Sequence, residues 1–217
     1  EVKNVSDSRE PMNVRTRPMT QLDQGTPDSE DVFMCGGGNQ WDLALERAEL
    51  TGARHLARYR MWADTLTFDA VVALPPGEAT KERPTLFKTM IDTLNHTYLV
   101  DLIWQAHLEG RDHGMSARNT PDSPALAEWW KQQQAIDKWY EQWSDKQTDE
   151  TLVDRRPITL IGGNRVVMSL AEMLLHLYHH TAYHRGFVGD MLYEVPGCRP
   201  PVTDLPVFLR ENAAEPR

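Results

Sequence analysis

The chain of 217 residues has only two cysteines, no long apolar run and no cluster of basic residues. Cys35 and Cys198 are too few and too far apart for a disulfide framework or a cysteine metal site. No apolar run could cross a bilayer, and no basic-then-apolar leader opens the chain. We therefore expect a cytoplasmic protein with no membrane partner.

The charge balance is acidic, with 23 lysines and arginines against 32 aspartates and glutamates and a net charge of -9. No predicted helix face carries the Lys/Arg cluster that binding to a phosphate backbone requires. Nucleic acid is therefore not an expected partner. At 40% hydrophobic and 25% charged residues, the composition is that of a globular domain with a sizeable core.

Residues 1–40 differ from the rest of the chain. Proline, glycine and short polar residues interrupt every periodic pattern there, ending in a run of three glycines, and large apolar residues are few. We predict a disordered tail over residues 1–40 and a single helical domain over residues 41–217.

Apolar residues recur at helical spacing in four later segments, and a short alternating segment precedes the last of them. The helices are predicted from Asn39 or Trp41 to before Pro75, from about Thr85 to Glu109, from the Ser123-Pro124 start onward, and from the Ser169–Glu172 capping box to Tyr193. Gly162-Gly163-Asn164 predicts a β-hairpin. These elements indicate an all-α four-helix bundle.

The third predicted helix carries four tryptophans, Trp129, Trp130, Trp139 and Trp143. Such a set could form an aromatic ligand site. We interpret it as core and interface packing, because the apolar residues of this helix have the spacing of a buried stripe.

The sequence "HLYHHTAYH" holds four of the eight histidines. On an α-helix, residues four apart point within about 40° of each other and lie roughly 6 Å apart along the axis. His180 and His184 therefore project side by side, the spacing that zinc-binding helices use. His176 lies one turn earlier on the same stripe, whereas His179 points about 100° away.

A third ligand has to come from another helix. His96 lies in the middle of the second predicted helix, among residues patterned as core. A buried imidazole needs a partner, which is either a hydrogen-bonding group or a shared metal ion. We favour the metal, because a facing helix would offer His180 and His184. Three histidines with open coordination positions are typical of catalytic metal centres.

Four segments, in order over residues 51–211, resemble the DinB/YfiT-like family of metalloenzymes. They are "LARYRMWADTL", "LNHTYLVDLIWQAHLEG", "HLYHHTAYHRGFVGDML" and "PPVTDLPVFLRE". The resemblance implies an up-down-down-up four-helix bundle that forms a homodimer. It also implies one divalent metal ion, Zn, Ni, Mn or Fe, held by His96, His180 and His184.

Other positions of the family signature carry weaker expectations. His176 matches a frequent histidine, which we interpret as packing beside the metal ligands, with ligation of the metal as the alternative. Arg185 is expected to form a salt bridge near the site, and Gly186 to permit close approach of a neighbouring helix. Tyr183 stands where many relatives have a further histidine. Asp101 is not part of that signature: as a candidate general base it lies well off the direction of His96 on the helix, and it is expected at the surface or between helices.

Characterised relatives include thiol-dependent S-transferases. The resemblance therefore implies a metal-dependent enzyme that takes a low-molecular-weight thiol as cosubstrate and a small electrophilic molecule as substrate. No residue is identified as a general base from the sequence. Three alternatives stay open: a metal-dependent hydrolase, a non-enzymatic metal-stabilised dimer that acts in binding or stress response, and histidines that serve only as polar packing.

Overall fold

The computed structural model describes residues 40–120 and 125–212, with side chains from residue 52 onward. The predicted tail up to residue 39 and the predicted helix start at Ser123 and Pro124 lie outside the described residues.

Six α-helices, one short 3-10 helix (Glu78–Thr80) and one antiparallel hairpin form the regular structure of the described part of the chain. In order, the α-helices and strands are α1 (Gln40–Val72), α2 (Met90–Leu108), α3 (Leu126–Asp145), α4 (Asp149–Leu152), β1 (Arg155–Thr159), β2 (Arg165–Ser169), α5 (Leu170–Tyr193) and α6 (Leu205–Glu211). Within the described ranges, no helix is both long enough and apolar enough to cross a membrane.

α1 and α3 run antiparallel. Arg54 donates a hydrogen bond to the carbonyl oxygen of Asp145, the last residue of α3, at 2.9 Å. At the other end of α1, Phe68 stacks on Trp130 near the start of α3, with ring centroids 4.6 Å apart.

α1 and α5 run in the same direction. The Tyr178 hydroxyl donates to the carbonyl oxygen of Ala53 at 3.3 Å. Further along both helices, Arg185 pairs with Asp64 at 3.4 Å.

α2 runs opposite to α5, because Trp104 contacts His176 while His96, earlier on α2, contacts His184, later on α5. Since α3 opposes α1 and α1 parallels α5, α2 and α3 share a direction. The bundle is therefore up-down-down-up, and the predicted fold class is confirmed.

Two clusters of buried apolar side chains hold the helices together. One, beside the hairpin, includes Tyr140 and Leu177, and the other includes Phe68, Trp129 and Val188. The four tryptophans of α3 all belong to these clusters or pack against them, so the core part of their predicted role is confirmed, and the interface part stays a prediction. Burial of such rings supplies much of the free energy that drives bundle formation.

A buried ion network, formed by Arg60, Asp64, Asp101, Gln133 and Asp137, lies among α1, α2 and α3. Arg60 pairs with Asp101, with Asp137 at 2.9 Å and with Asp64 at 3.3 Å. Gln133 donates to Asp101 and to Asp137, both at 2.9 Å. Burial raises the pKa of Asp101 to about 6 and also raises the pKa of Asp137, although Arg60 opposes both shifts. Asp101 is thus between helices and not at the surface.

α2 begins at Met90, and the prediction that it begins at Thr85 is wrong. Lys88 has a φ of 62°, which a continuous right-handed helix does not accommodate. Thr89 caps the helix instead, because its hydroxyl accepts the Asp92 N–H at 2.9 Å. Phe87, expected on the helix, therefore lies in the preceding loop.

The hairpin and the start of α5 agree with the sequence. Ile158 pairs with Val166 in the register between β1 and β2. At Ser169 the side chain accepts the Glu172 N–H at 3.1 Å, and the Ser169 N–H donates to the Glu172 carboxylate at 2.8 Å. This reciprocal pair is the predicted capping box.

Candidate metal centre

Histidines from two helices converge at the interface of α2 and α5. His96 comes from α2, and His180 and His184 come from successive turns of α5. One ligand nitrogen from each lies within 4.8 Å of the other two, and the Nε2 atoms of His96 and His180 are 3.1 Å apart. The structure thus brings together the three residues predicted as ligands.

The loop before α3 sets the tautomer of His96. The Nδ1 atom of His96 is 2.8 Å from the carbonyl oxygen of Arg118. Because a carbonyl oxygen can only accept, Nδ1 carries the proton, and the neutral ring presents the Nε2 lone pair to His180. Ligand histidines in metal sites are typically held by such a hydrogen bond.

The three imidazoles are neutral at pH 7. Burial lowers the pKa of His180 to about 3, with a further contribution from His184 and His96. Burial, together with His96, lowers the pKa of His184 to about 4. The pKa of His96 is also lowered, mainly by burial. Neutral imidazole is the form that binds a metal ion, so no proton has to be displaced at neutral pH.

The donor set fits a divalent metal ion. Two neutral imidazoles whose nitrogens face each other at 3.1 Å can share either one proton or one cation. The Nδ1 atoms of His180 and His184 are buried and have no hydrogen-bond partner within the described part of the chain. Imidazole suits zinc, nickel and iron, whereas manganese prefers oxygen ligands.

The three histidines line a cavity of about 280 Å³. Besides these rings, the cavity is lined by Leu86, Phe87, Val100, Arg118, Ile161 and Tyr183. Most of these walls are apolar, and the Phe87 ring stacks on His96 with centroids 4.3 Å apart. The triad therefore faces a small cavity with space for a ligand beside it.

A larger groove of about 1010 Å³ lies along α1, α3 and α6, and none of the three histidines lines it. Size alone would favour this groove as the functional site. We place the function at the smaller cavity, because several side-chain donors converge there.

The structure also shows what His176 and Arg185 contact. His176 is not one of the converging ligands; its side chain is exposed and its ring stacks on His180 with centroids 5.8 Å apart. Arg185 pairs with Asp64 and donates to the Tyr59 hydroxyl at 2.9 Å, so it holds α5 to α1 as a salt bridge.

The expectation for Gly186 is wrong. A Cβ atom added at this position would meet nothing within 4 Å. Gly186 therefore does not mark a close approach of another helix.

Sequence reasoning missed Arg118 and misplaced Phe87, both of which lie at the cavity. Each belongs to a loop, where periodicity carries no information about position. The buried ion network was also missed, although an aspartate inside the apolar segment "YLVDLIW" was a usable signal.

The fold and the converging histidines define a class of protein: a four-helix bundle with a three-histidine candidate metal site between two of its helices. The DinB family model matches residues 46–217, and the chain belongs to this family. The chain is also 26% identical to Protein DinB of Bacillus subtilis (strain 168) over 167 residues, which is 71% of this chain and 91% of the relative.

Proposed function

We propose that this protein is a divalent-metal-dependent enzyme that transfers a low-molecular-weight thiol to small electrophilic molecules. The observation that carries the proposal is the convergence of His96, His180 and His184 on a cavity with apolar walls. Membership of the DinB family supports it.

Each group at the site would have its own role. His96, His180 and His184 hold the ion, and the Arg118 carbonyl group keeps the His96 lone pair directed at it. A bound divalent ion lowers the pKa of a thiol beside it and so supplies thiolate at neutral pH. The apolar side chains of the cavity lower the local dielectric beside the ion and so strengthen electrostatic interactions there.

The transfer itself needs no further cofactor. The thiol proton goes to solvent, the sulfur forms a bond to the electrophilic carbon, and the leaving group departs with the bonding electron pair. The same site could instead present a hydroxide for hydrolysis, which is the alternative reaction within this class. The homodimer expected from the family resemblance stays a prediction.

The proposal is tested by loading the purified protein with zinc, nickel, manganese or iron and following thiol consumption with chlorodinitrobenzene as a model electrophile. We expect loss of thiol above the uncatalysed rate with at least one metal, and loss of this activity in His180→Ala. The variant His179→Ala, altered at the adjacent exposed residue, is the matched control.

The transferase proposal fails if no metal supports thiol consumption with any of a panel of electrophiles. Ester hydrolysis without thiol consumption would favour the hydrolase. Loss of folding on chelation without either activity would favour the non-enzymatic alternative.

A further inference from the structure

The cavity beside the histidines has an unusual charge balance for an acidic protein. No carboxylate is among the described residues that line it, and Arg118 is the one fully charged side chain there. Three neutral imidazoles leave the charge of a bound divalent ion uncompensated. A ligand that enters the cavity therefore meets positive charge only.

Arg118 is held in place by the segment to which it belongs. Its carbonyl oxygen accepts the His96 Nδ1–H, and the next residue, Asn119, donates from its side chain to the Asp92 carbonyl oxygen at 3.0 Å. The Thr120 N–H then donates to the Asn95 side chain at 3.0 Å. Three consecutive residues are thus attached to α2, so the Arg118 backbone is positioned at the cavity before any ligand binds.

The guanidinium of Arg118 is free to bind a ligand. It forms no ion pair or hydrogen bond with another described side chain, and its residue is exposed. Its charge is close enough to His96 to contribute to the lowered pKa of that imidazole. The guanidinium charge therefore acts on the histidine site without being neutralised by a carboxylate.

A second polar group lines the same cavity. Tyr183, which precedes the ligand His184, is 61% exposed, and its ring packs on Phe187 with centroids 4.9 Å apart. Among the described residues its hydroxyl has no hydrogen-bond partner. A phenol hydroxyl can donate to an anion, as a guanidinium can.

We propose that Arg118 is the specificity-determining residue of this cavity and that, with Tyr183, it binds the carboxylate of an organic anion whose other end reaches the metal. The proposal rests on the proposed function and narrows its cosubstrate to carboxylate-bearing thiols. Such a ligand brings a thiolate and a carboxylate to a site with uncompensated positive charge. Its body would pack against Leu86, Val100 and Ile161.

The test compares two thiols of similar shape, 3-mercaptopropionate and 3-mercaptopropionamide, by titration calorimetry with the zinc-loaded protein. We expect the wild type to bind the carboxylate about tenfold more tightly than the amide, the size of one charge-assisted hydrogen bond. Arg118→Gln should lose most of this preference, because the affinity for the carboxylate falls much more than the affinity for the amide. Tyr183→Phe should reduce the preference about two- to threefold.

Arg111→Gln is the matched control. Arg111 is an exposed arginine of the same loop, is paired with Glu109, and does not line the cavity. The variant should keep the wild-type preference. An unchanged preference in Arg118→Gln, or an equal loss in Arg111→Gln, overturns the assignment.

A second pair of ligands distinguishes failure of the anion site from failure of the proposed thiol activation. If neither thiol binds the zinc-loaded protein, thiol activation fails, and imidazole-4-acetate and imidazole-4-acetamide are compared instead. A preference for the acetate that depends on Arg118 would still support the anion site. Equal binding of both imidazoles to the wild type would overturn it.

Discussion

At the scale of single residues, His180 and His179 allow a sharp test of the metal centre. The two are adjacent on α5, but only His180 is among the converging ligands. We expect His180→Ala to weaken zinc binding by about 100-fold or more, since losing a hydrogen-bond partner of a ligand already costs 10–100-fold. His179→Ala should bind zinc as the wild type does.

Competition with a chromophoric chelator measures both affinities. Equal zinc binding by His180→Ala and the wild type would contradict the site and leave polar packing as the role of the histidines.

Arg60 gives a second prediction at the residue scale, because it faces three buried carboxylates. Replacing it by leucine leaves these carboxylates without their cation, so we expect the free energy of unfolding to fall by about 3–5 kcal/mol. Urea denaturation monitored by tryptophan fluorescence measures this loss.

Arg58, two residues earlier on α1, is the matched control. It also pairs with two carboxylates, Glu141 and Asp145, but its side chain is 43% exposed. Arg58→Leu should therefore cost less than about 1 kcal/mol. Similar losses in the two variants would show that burial of the network contributes little.

At the scale of elements, the start of α5 rests on the capping box. Ser169→Ala removes the acceptor for the Glu172 N–H, and we expect a loss of about 1 kcal/mol in the free energy of unfolding. Glu172→Gln, which keeps an acceptor for the Ser169 N–H, should cost less. Chemical denaturation compares the three proteins, and a larger loss in Glu172→Gln would be the contrary result.

An element was predicted correctly where the residues that define its ends lie close together in the sequence. The capping box and the glycines of the hairpin act within a few residues, so α5 and the hairpin were located correctly. The start of α2 was wrong because Phe87 has the apolar spacing of the helix that follows it. Only the Lys88 backbone, with its positive φ, separates the two.

At the scale of the whole molecule, stability depends on pH through the buried histidines. The pKa values of His180 and His184 are about 3 and about 4, against an ordinary value of 6.5. Between pH 6.5 and about 4 the unfolded chain binds protons that the native protein does not bind, so the free energy of unfolding falls as the pH falls. Burial raises the pKa of Asp101 to about 6, so the native protein binds a proton there before the unfolded chain does. This carboxyl group therefore increases the free energy of unfolding as the pH falls over part of this range.

Comparison with His180→Gln isolates the histidine contribution, since Asp101 is common to both proteins. In the presence of a chelator, the wild type should lose more stability than the variant between pH 7 and pH 5. Denaturation curves at each pH measure the difference. If the two proteins lost stability in parallel, the native protein would not favour the neutral His180.

Reading the chain alone was enough to place the four long helices and the hairpin, apart from the start of α2, and to select His96, His180 and His184 as candidate ligands. The helices, the hairpin and the pairing of His180 with His184 follow from local periodicity, capping and helix geometry, whereas His96 was chosen from its place among core residues and from the family resemblance. Three further facts became visible only in the folded protein: His96 meets His180 and His184, Asp101 is buried against Arg60, and Arg118 and Phe87 line the cavity. These contacts join residues from different helices and loops, and the packing of the bundle sets their distances.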